Sequence, residues 1–277
     1  MSSPASLFDL TGKVVVVTGA TGTLTGSAAD YLAGQGARVV YLGRTQSKLD
    51  DALAKVRAAH PAAEVLGLAA DVSDRPALER ARDAIVAKWG RVDALLNGAG
   101  GNQPGATITP DKTFGDLDFT AFEQVVALNL HGTVLPTLVF TPALLSSAPG
   151  ASVVNYSSAS SARAVTRVVG YSAAKAAVDN FTRWLAVDLG KRTQGGVRVN
   201  SLVPGFFLGE QNRRLLTNED GSLTARGQTI CNMTPFGRFG QADELHGAIH
   251  FLVSDASKFV TGTTVVVDGG FGAFSGV

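Results

Sequence analysis

A tyrosine and a lysine four residues apart, Tyr171 and Lys175, are the residues best suited to acid–base chemistry. At that spacing two side chains share one face of a helix, which we predict from near Val169 through Trp184. A lysine one turn away favours the phenolate and lowers the pKa of the tyrosine. Ser158 lies thirteen residues before Tyr171, just after a predicted strand at Ala151 to Val154.

A phenol, an ammonium and a hydroxyl arranged in this way suit proton transfer to or from a carbonyl oxygen. The serine would hold the substrate oxygen within reach of the phenol, whose unperturbed pKa of about 10 makes it a poor base on its own. Because the same spacing also arises by chance on surface helices, the motif alone leaves both interpretations open. The elements around it favour the chemical one.

A glycine-rich turn follows the first predicted strand, Lys13 to Val17, and leads into a helix that continues through about Ala33. Strand, glycine turn and helix in this order are typical of a dinucleotide site, where amides at the helix start bind the pyrophosphate. A plain strand-to-helix turn is the alternative. The predicted cofactor contacts in the turn are Gly19, Thr21, Gly22, Thr23 and Leu24.

The second predicted strand, Gly36 to Leu42, ends at Gly43 and Arg44. An NAD-selective enzyme places an acid near this point to bind the ribose 2′-hydroxyl. A neutral position beside a guanidinium fits a 2′-phosphate better. We therefore favour NADP(H) over NAD(H). The alternative is that Arg44 only stacks on adenine.

Two further strand ends carry candidate cofactor contacts. After a helix from Ser47 to Ala59, a strand at Glu64 to Ala70 ends at Asp71 and Val72, which suit an adenine edge. Asp71 equally suits a turn or helix cap, since Ser73 and Asp74 open the next helix. A strand at Val92 to Leu96 leads into small residues that let the cofactor cross the sheet edge. They are Asn97, Gly98, Ala99, Gly100 and Gly101.

A predicted helix from Phe119 to about Leu145 carries Asn129 in an apolar stretch. A buried amide must be hydrogen-bonded. Asn129 would hold either a backbone carbonyl and a water near Lys175, or a purely structural hydrogen bond. We leave the two open.

The remaining elements complete an alternation of strands and helices. A strand at Val197 to Val203 ends in Pro204-Gly205, which we predict as further cofactor contacts. A helix at Gln241 to Ser254 precedes a last strand at Thr263 to Val267. The intervening excursion, about 206–236, is interpreted as a lid. We predict one α/β domain over residues 1–277, a Rossmann-type doubly wound parallel sheet with helices on both faces.

Composition excludes several classes of protein. Apolar residues make up 45% of the 277 and charged residues 17%, with a net charge of +1. These values indicate a globular protein without a nucleic-acid or membrane partner. We see no signal peptide, no apolar stretch approaching the ~20 residues that span a bilayer, and no metal-ligand set among the histidines. With a single cysteine, Cys231, we expect a cytoplasmic protein.

Taken together, these motifs resemble the short-chain dehydrogenase/reductase family over nearly the whole chain. The resemblance implies a nicotinamide cofactor, a homotetramer and a catalytic asparagine, serine, tyrosine and lysine. These roles fall on Asn129, Ser158, Tyr171 and Lys175, with Tyr171 and Lys175 also contacting the cofactor. The residues that carry the resemblance are Thr18-Gly19, Asp71, Asn97-Gly98-Ala99-Gly100, Asn129, Ser158, Tyr171-x-x-x-Lys175, Pro204-Gly205 and Asp268-Gly269-Gly270. One departure concerns the pyrophosphate: Thr23 and Thr25 stand where the family has glycines.

A narrower likeness is to the D-mannonate oxidoreductase branch, which implies interconversion of D-mannonate and D-fructuronate. It rests on Asn97-Gly-Ala-Gly-Gly-Asn, on Pro204-Gly-Phe-Phe-Leu-Gly-Glu-Gln-Asn-Arg, on Thr234-Pro-Phe-Gly-Arg-Phe-Gly and on the glycine-rich end. Polar candidates for binding substrate hydroxyls are Asn102, Gln103, Thr166, Gln211 and Asn212. Arg163, Arg167 or Arg213 could bind a carboxylate, and each equally suits a solvated surface.

The sequence thus predicts an NAD(P)-dependent oxidoreductase that acts on a small-molecule sugar acid. One alternative keeps the chemistry with another carbonyl, a gluconate-type sugar acid or a 3-oxoacyl thioester, for which Phe206, Phe207 and Leu208 would line an apolar pocket. The other is a nicotinamide-binding regulator without turnover. Such a regulator has no need of Ser158 and Tyr171.

Overall fold

A computed structural model describes residues 4–210 and 212–276. In this part of the chain seven strands form one sheet in the order β3-β2-β1-β4-β5-β6-β7, and every neighbouring pair is parallel. This confirms the predicted fold class. The strands are β1 Val14–Thr18, β2 Arg38–Gly43, β3 Val65–Ala69, β4 Ala94–Asn97, β5 Ala151–Tyr156, β6 Val197–Pro204 and β7 Thr264–Val267.

The strand order reverses between β1 and β4, so the loops after these strands diverge and open a crevice at their carboxyl ends. Helices connect the strands. They are α1 Pro4–Leu7, α2 Thr23–Gly34, α3 Gln46–Ala59, α4 Arg75–Trp89, α5 Phe119–Val126, α6 Gly132–Ser146, α7 Val169–Thr193, α8 Arg213–Leu216, α9 Ala225–Asn232 and α10 His246–Val253.

The sheet is buried on both faces, which explains the run of valines in β1. Val15 and Val17 face the core that α2 and α10 cover. Val14 and Val16 face the opposite core, under α4, α6 and α7. Each fully buried valine contributes about 1.5–3 kcal/mol relative to an exposed one. Burial on both faces therefore fixes the register of β1 and, with it, the position of the glycine turn that follows.

Helix α7 is longer than predicted: it ends at Thr193 rather than near Trp184. Leu185, Ala186 and Leu189 continue its buried stripe, so packing sustains the helix. It stops at Gln194, which has a left-handed φ of 52°. The long helix gives Tyr171 and Lys175, in its first two turns, a rigid support.

The predicted helix at Phe119 to Leu145 is interrupted. A π-helical segment at Ala127–His131 separates α5 from α6, and Asn129 lies fully buried inside it. Wider turns of this kind shift the side-chain directions that follow and are frequent at functional sites. The sequence pattern showed the polar residue but not the change in helical geometry.

By length and composition, the helical stretch Phe119–Ser146 could cross a bilayer, with a mean hydropathy of 1.3. The prediction that no apolar stretch approaches that length is therefore wrong for this stretch. Of its most apolar window 44% is buried, and Phe140 and Leu144 lie in the core against the sheet. The buried part of the stretch thus belongs to the core of the fold. Leu138 on α6 and Trp184 on α7 are exposed apolar side chains, and the homo-oligomer that could cover them stays a prediction.

Candidate active site

Ser158 and Tyr171 meet beyond the carboxyl end of β5. The hydroxyl of Ser158 lies close enough to the Tyr171 phenol to lower its pKa. It also accepts from the backbone amide of Ser160 at 3.2 Å and lies 3.1 Å from the Ser160 hydroxyl. These contacts fix the serine rotamer, so its oxygen stays beside the phenol. The structure thus brings together the two groups predicted to share a substrate oxygen.

The phenol of Tyr171 keeps its proton at neutral pH. Burial raises the pKa of Tyr171, since a phenolate loses solvation there, while the hydrogen bond with Ser158 acts in the opposite direction. We predicted a pKa lowered by Lys175, and the net direction is the reverse. The reason is geometric: the Lys175 ammonium lies 5.6 Å from the centre of the Tyr171 ring and donates elsewhere. A protonated phenol suits a general acid in carbonyl reduction.

Lys175 is a buried ammonium, with its side chain only 3% exposed. Its Nζ donates to the carbonyl of Tyr156 at 2.8 Å. Burial lowers the pKa of Lys175 to about 8, with the nearby charge of Asp179 acting against the shift. A buried cation in the crevice would bind hydroxyl oxygens of a ligand. Its positive charge would also favour the phenolate at the moment Tyr171 gives up its proton.

Asn129 uses its whole amide on the backbone. Its Oδ1 accepts from the Gly101 amide at 3.1 Å, while its Nδ2 donates to the carbonyls of Gly101 at 2.7 Å and Val125 at 2.8 Å. This favours the structural interpretation, because the loop after β4 is tied to the π-helical segment. A Cβ added to Gly100 would fall 2.6 Å from Asn129 Oδ1 and 3.3 Å from Lys175 Nζ, so both side chains border this glycine.

The glycine turn after β1 packs closely on the loop after β4. Gly19 has a φ of 68°, and a Cβ there would lie 2.9 Å from the Cα of Ala99. Thr18 Oγ1 accepts from the amides of Gly98 and Ala99, at 3.0 and 3.2 Å. Only glycine suits both the backbone angle and the close approach. The predicted contacts from these two loops therefore form one continuous surface.

The start of α2 fits a pyrophosphate. Its N-cap is Gly22, which has no side chain to occupy the free amides, and Gly22 and Thr23 are exposed. Such an end carries unpaired N–H groups and a partial positive charge. Gly209, from the excursion, approaches here: a Cβ on it would lie 3.2 Å from Thr23 Oγ1. This helix end therefore has the groups that a dinucleotide pyrophosphate requires.

The threonines that replace family glycines are accommodated. Thr25 turns its hydroxyl to the carbonyl of Gly19 and so supports the turn from within. Gly26 is the position that needs glycine, since a Cβ there would lie 3.0 Å from the carbonyl of Ala20. The turn is thus formed with glycine at positions 22 and 26 instead of the two positions where the family has it. Thr23 stays exposed beside Leu24 at the helix start.

At the other end of the crevice, Arg44 and Asp71 lie near each other beyond β2 and β3. Burial would raise the pKa of Asp71, but hydrogen bonds from Ser73 and the charge of Arg44 bring it below its usual range. Asp71 Oδ1 accepts from the Ser73 amide at 2.8 Å, which confirms the turn role. Val72 is buried against Gly132. A Cβ added at Gly132 would lie 2.9 Å from a methyl carbon of Val72.

Asn97 turns its amide into the core rather than towards the crevice. Its Nδ2 donates to Thr137 Oγ1 and Asn155 Oδ1, both at 2.8 Å. Any cofactor contact is therefore left to its main chain. Beyond β6, Gly205 meets Asp268 closely, since a Cβ would lie 2.7 Å from the Asp268 Cα. Pro204 ends β6 paired with Val267.

Several predicted substrate ligands already have intramolecular partners. Asn102 donates to Thr107 Oγ1 at 2.8 Å, and Gln103 donates to the Ala121 carbonyl at 2.9 Å and to Gln124 Oε1 at 3.0 Å. Asn212 closes a turn by donating to the Phe207 carbonyl at 2.8 Å and accepting from the Gly209 amide at 2.9 Å.

The three predicted arginines differ in setting. Arg163 donates to the carbonyl of Phe274 at 2.8 Å, and Arg213 is exposed on α8. Arg167 is half-buried, next to a residue that the sequence did not single out, Arg226 of α9. The two arginines are far apart in sequence, so no local pattern pairs them. Gln211 lies outside the described residues.

Known proteins are similar to this chain along nearly its whole length. Residues 19–272 match the family model described as enoyl-(acyl carrier protein) reductase. An uncharacterized oxidoreductase, UxuB, of Bacillus subtilis is 42% identical, over 97% of this chain and 98% of its own. Gluconate 5-dehydrogenase of Gluconobacter oxydans is 33% identical, over 98% of each chain.

A solved structure from Haemophilus influenza has the same fold. It is a candidate D-mannonate oxidoreductase with bound NAD, 36% identical, with a TM-score of 0.90 over 99% of this chain and 100% of that one. The chain belongs to the short-chain dehydrogenase/reductase family. It is an NAD(P)-dependent oxidoreductase, and its relatives include dehydrogenases that act on alcohol groups.

Proposed function

We propose that the protein interconverts D-mannonate and D-fructuronate, a sugar-acid alcohol and its ketone. The observation that carries this proposal is the similarity, along nearly the whole of both chains, to the candidate D-mannonate oxidoreductase of known structure. The 33% identity to a gluconate dehydrogenase supports a sugar acid as the substrate class. A gluconate-type sugar acid is the second candidate on the same ground.

The proposed reaction uses the phenol of Tyr171, the hydroxyl of Ser158 and the ammonium of Lys175. When bound, a reduced nicotinamide supplies a hydride to the carbonyl carbon. Tyr171 gives its proton to the carbonyl oxygen, which becomes the alcohol oxygen. Ser158 donates a hydrogen bond to the same oxygen, and Lys175, one turn further along α7, keeps a buried positive charge near the phenolate that remains. In the direction of oxidation Tyr171 takes the proton back.

The apolar residues of the excursion argue against a long acyl substrate. Phe206 and Leu208 pack against a small core around Leu216 and Ile230. Phe206 also meets Phe271 edge to face, with the ring centres 5.0 Å apart. These contacts cover part of the Phe206 and Leu208 side chains, which leaves less apolar surface for an acyl chain. A polar substrate fits this arrangement better than a 3-oxoacyl thioester.

The substrate assignment can be tested by following nicotinamide absorbance with purified protein. D-Fructuronate, 5-keto-D-gluconate and acetoacetyl thioester are each offered with NADPH and with NADH. We expect the highest kcat/KM with fructuronate. A clear preference for 5-keto-D-gluconate or the thioester would change the substrate assignment but not the oxidoreductase class.

We further propose that NADP(H) is the preferred cofactor. Gly43 provides no acid for a ribose 2′-hydroxyl, although a Cβ there would make only ordinary contacts, 3.4 Å from Leu49 and 3.7 Å from Thr21. The exposed guanidinium of Arg44 is adjacent. A phosphate beside it would gain a charge-assisted hydrogen bond.

Replacing Arg44 by Gln should weaken NADPH binding by about 10- to 100-fold, the equivalent of one charge-assisted hydrogen bond. NADH affinity should change little, because a free hydroxyl does not need the cation. Fluorescence titration of each cofactor measures both, with Arg57→Gln on the exposed side of α3 as the matched control. Equal losses for the two cofactors would mean that Arg44 stacks on adenine instead.

A further inference from the structure

Arg226 connects the excursion to the loop before the catalytic helix. Its Nη1 donates to Thr166 Oγ1 at 3.2 Å and its Nη2 to the Thr166 carbonyl at 3.3 Å. The residue is half-buried at the start of α9. Both bonds approach the limit of hydrogen-bond length, so the guanidinium is held in place without being saturated. The remaining N–H groups of the Arg226 guanidinium stay free to donate to a further acceptor.

Arg167, next to Thr166, has an unusual backbone. Its φ is 82°, a region that residues with side chains rarely adopt, and such a conformation costs roughly 1–3 kcal/mol. The Ile108 amide donates to its carbonyl at 3.0 Å and so ties the strained residue to the loop after β4. Backbone strain of this kind clusters at ligand sites.

The two guanidinium groups are close enough to repel each other. Burial lowers the pKa of Arg226, and the charge of Arg167 lowers it further. Between residues 4 and 276, leaving out Gln211, neither arginine has a carboxylate within ion-pair distance. Two adjacent, partly desolvated cations without a counter-ion are unfavourable unless an anion joins them.

Arg167 and Arg226 are connected to the surroundings of Tyr171 through the loop after β4. Tyr171 follows Arg167 by four residues and packs on Ala106. Ile108, two residues further along the same loop, holds the Arg167 backbone. The segment 106–108 thus contacts both the small core that holds the Tyr171 ring and the backbone of Arg167. A substrate whose ketone reaches Tyr171 would have its far end near the arginines.

We propose that Arg226 and Arg167 together bind the carboxylate of the substrate and select sugar acids over neutral sugars. The inference rests on the proposed function for the identity of the substrate. In D-fructuronate the carboxylate lies at the opposite end of the carbon chain from the ketone. Paired guanidinium forks match the planar geometry of a carboxylate. Because Arg226 lies on α9, which is part of the excursion, the excursion contributes directly to substrate selectivity.

The test measures binding apart from turnover. D-Mannonate is titrated by calorimetry into the protein with NADPH, a pair that cannot react, and the neutral D-mannitol is titrated in parallel. We expect Arg226→Gln to weaken D-mannonate binding by about 10- to 100-fold, with Arg167→Gln similar. Mannitol binding should be unchanged. Arg226→Lys should recover part of the loss, since the charge remains without the fork.

Arg214→Gln, at an exposed arginine of α8, serves as the control and should match the unmodified protein. Unchanged D-mannonate affinity in both arginine variants would overturn the inference, as would an unmodified protein that binds neither ligand. If D-mannonate binds through Arg226 but fructuronate is not reduced, the substrate assignment fails and the carboxylate site stands. If fructuronate is reduced with an unchanged KM in Arg226→Gln, the carboxylate site fails alone.

Discussion

Replacing Tyr171 by Phe should lower kcat by about 10²–10⁴-fold, the range that a positioned general acid contributes. Without the phenol the site loses the group that gives its proton to the carbonyl oxygen. The phenol is half-buried against Ala106, Ala121 and Val125, and a phenyl ring keeps these contacts. Fold and cofactor affinity should therefore persist. Steady-state kinetics and a cofactor titration on one preparation measure both.

Tyr156→Phe provides a matched control for this variant. Tyr156 is also buried, and within the described residues its hydroxyl has no hydrogen-bond partner. Loss of that hydroxyl should leave turnover near normal and stability unchanged or slightly raised. Near-normal turnover in Tyr171→Phe would instead refute the mechanism. A comparable loss in both variants would show that the effect is structural.

The parts of the fold that could be predicted from sequence are those governed by local pattern. The valines of β1 follow from burial on both faces, and the turn at Gly19 follows from a backbone that only glycine suits. Tyr171 and Lys175 were placed on one helix face because helical spacing requires it. The strand order then brought the predicted motifs to the carboxyl edge of the sheet. The inferences about β1, Gly19 and the Tyr171–Lys175 pair needed only residues that are neighbours in sequence.

The parts that could not be predicted depend on contacts between distant segments. Arg226 meets Thr166 only because α9 folds back over the loop before α7. The amides of Asn102 and Gln103 looked available for substrate, but the folded loop supplies them with partners. The pKa direction of Tyr171 depends on burial and on where the Lys175 Nζ points, and neither is visible in a spacing of four residues.

Replacing Lys175 by Met should abolish most activity while making the folded protein more stable at neutral pH. Lysine and methionine have similar length and helix propensity, so packing changes little. The pKa of Lys175 is lowered to about 8 by burial. At about 1.4 kcal/mol per pKa unit, keeping the ammonium buried costs on the order of 3 kcal/mol. Loss of the hydrogen bond to the Tyr156 carbonyl offsets about 1 kcal/mol.

The sign of the pH dependence follows from linkage. Between the folded pKa of about 8 and the unfolded value of about 10.4, the unfolded chain binds more protons, so the contribution of Lys175 to stability rises with pH. The advantage of the Met variant should thus be largest below pH 8 and fade towards about pH 10.4. Denaturant unfolding across this range measures it, with Lys191→Met on the exposed face of α7 as the control. If the variant were less stable at every pH, Lys175 would be a structural cation rather than one kept buried for the reaction.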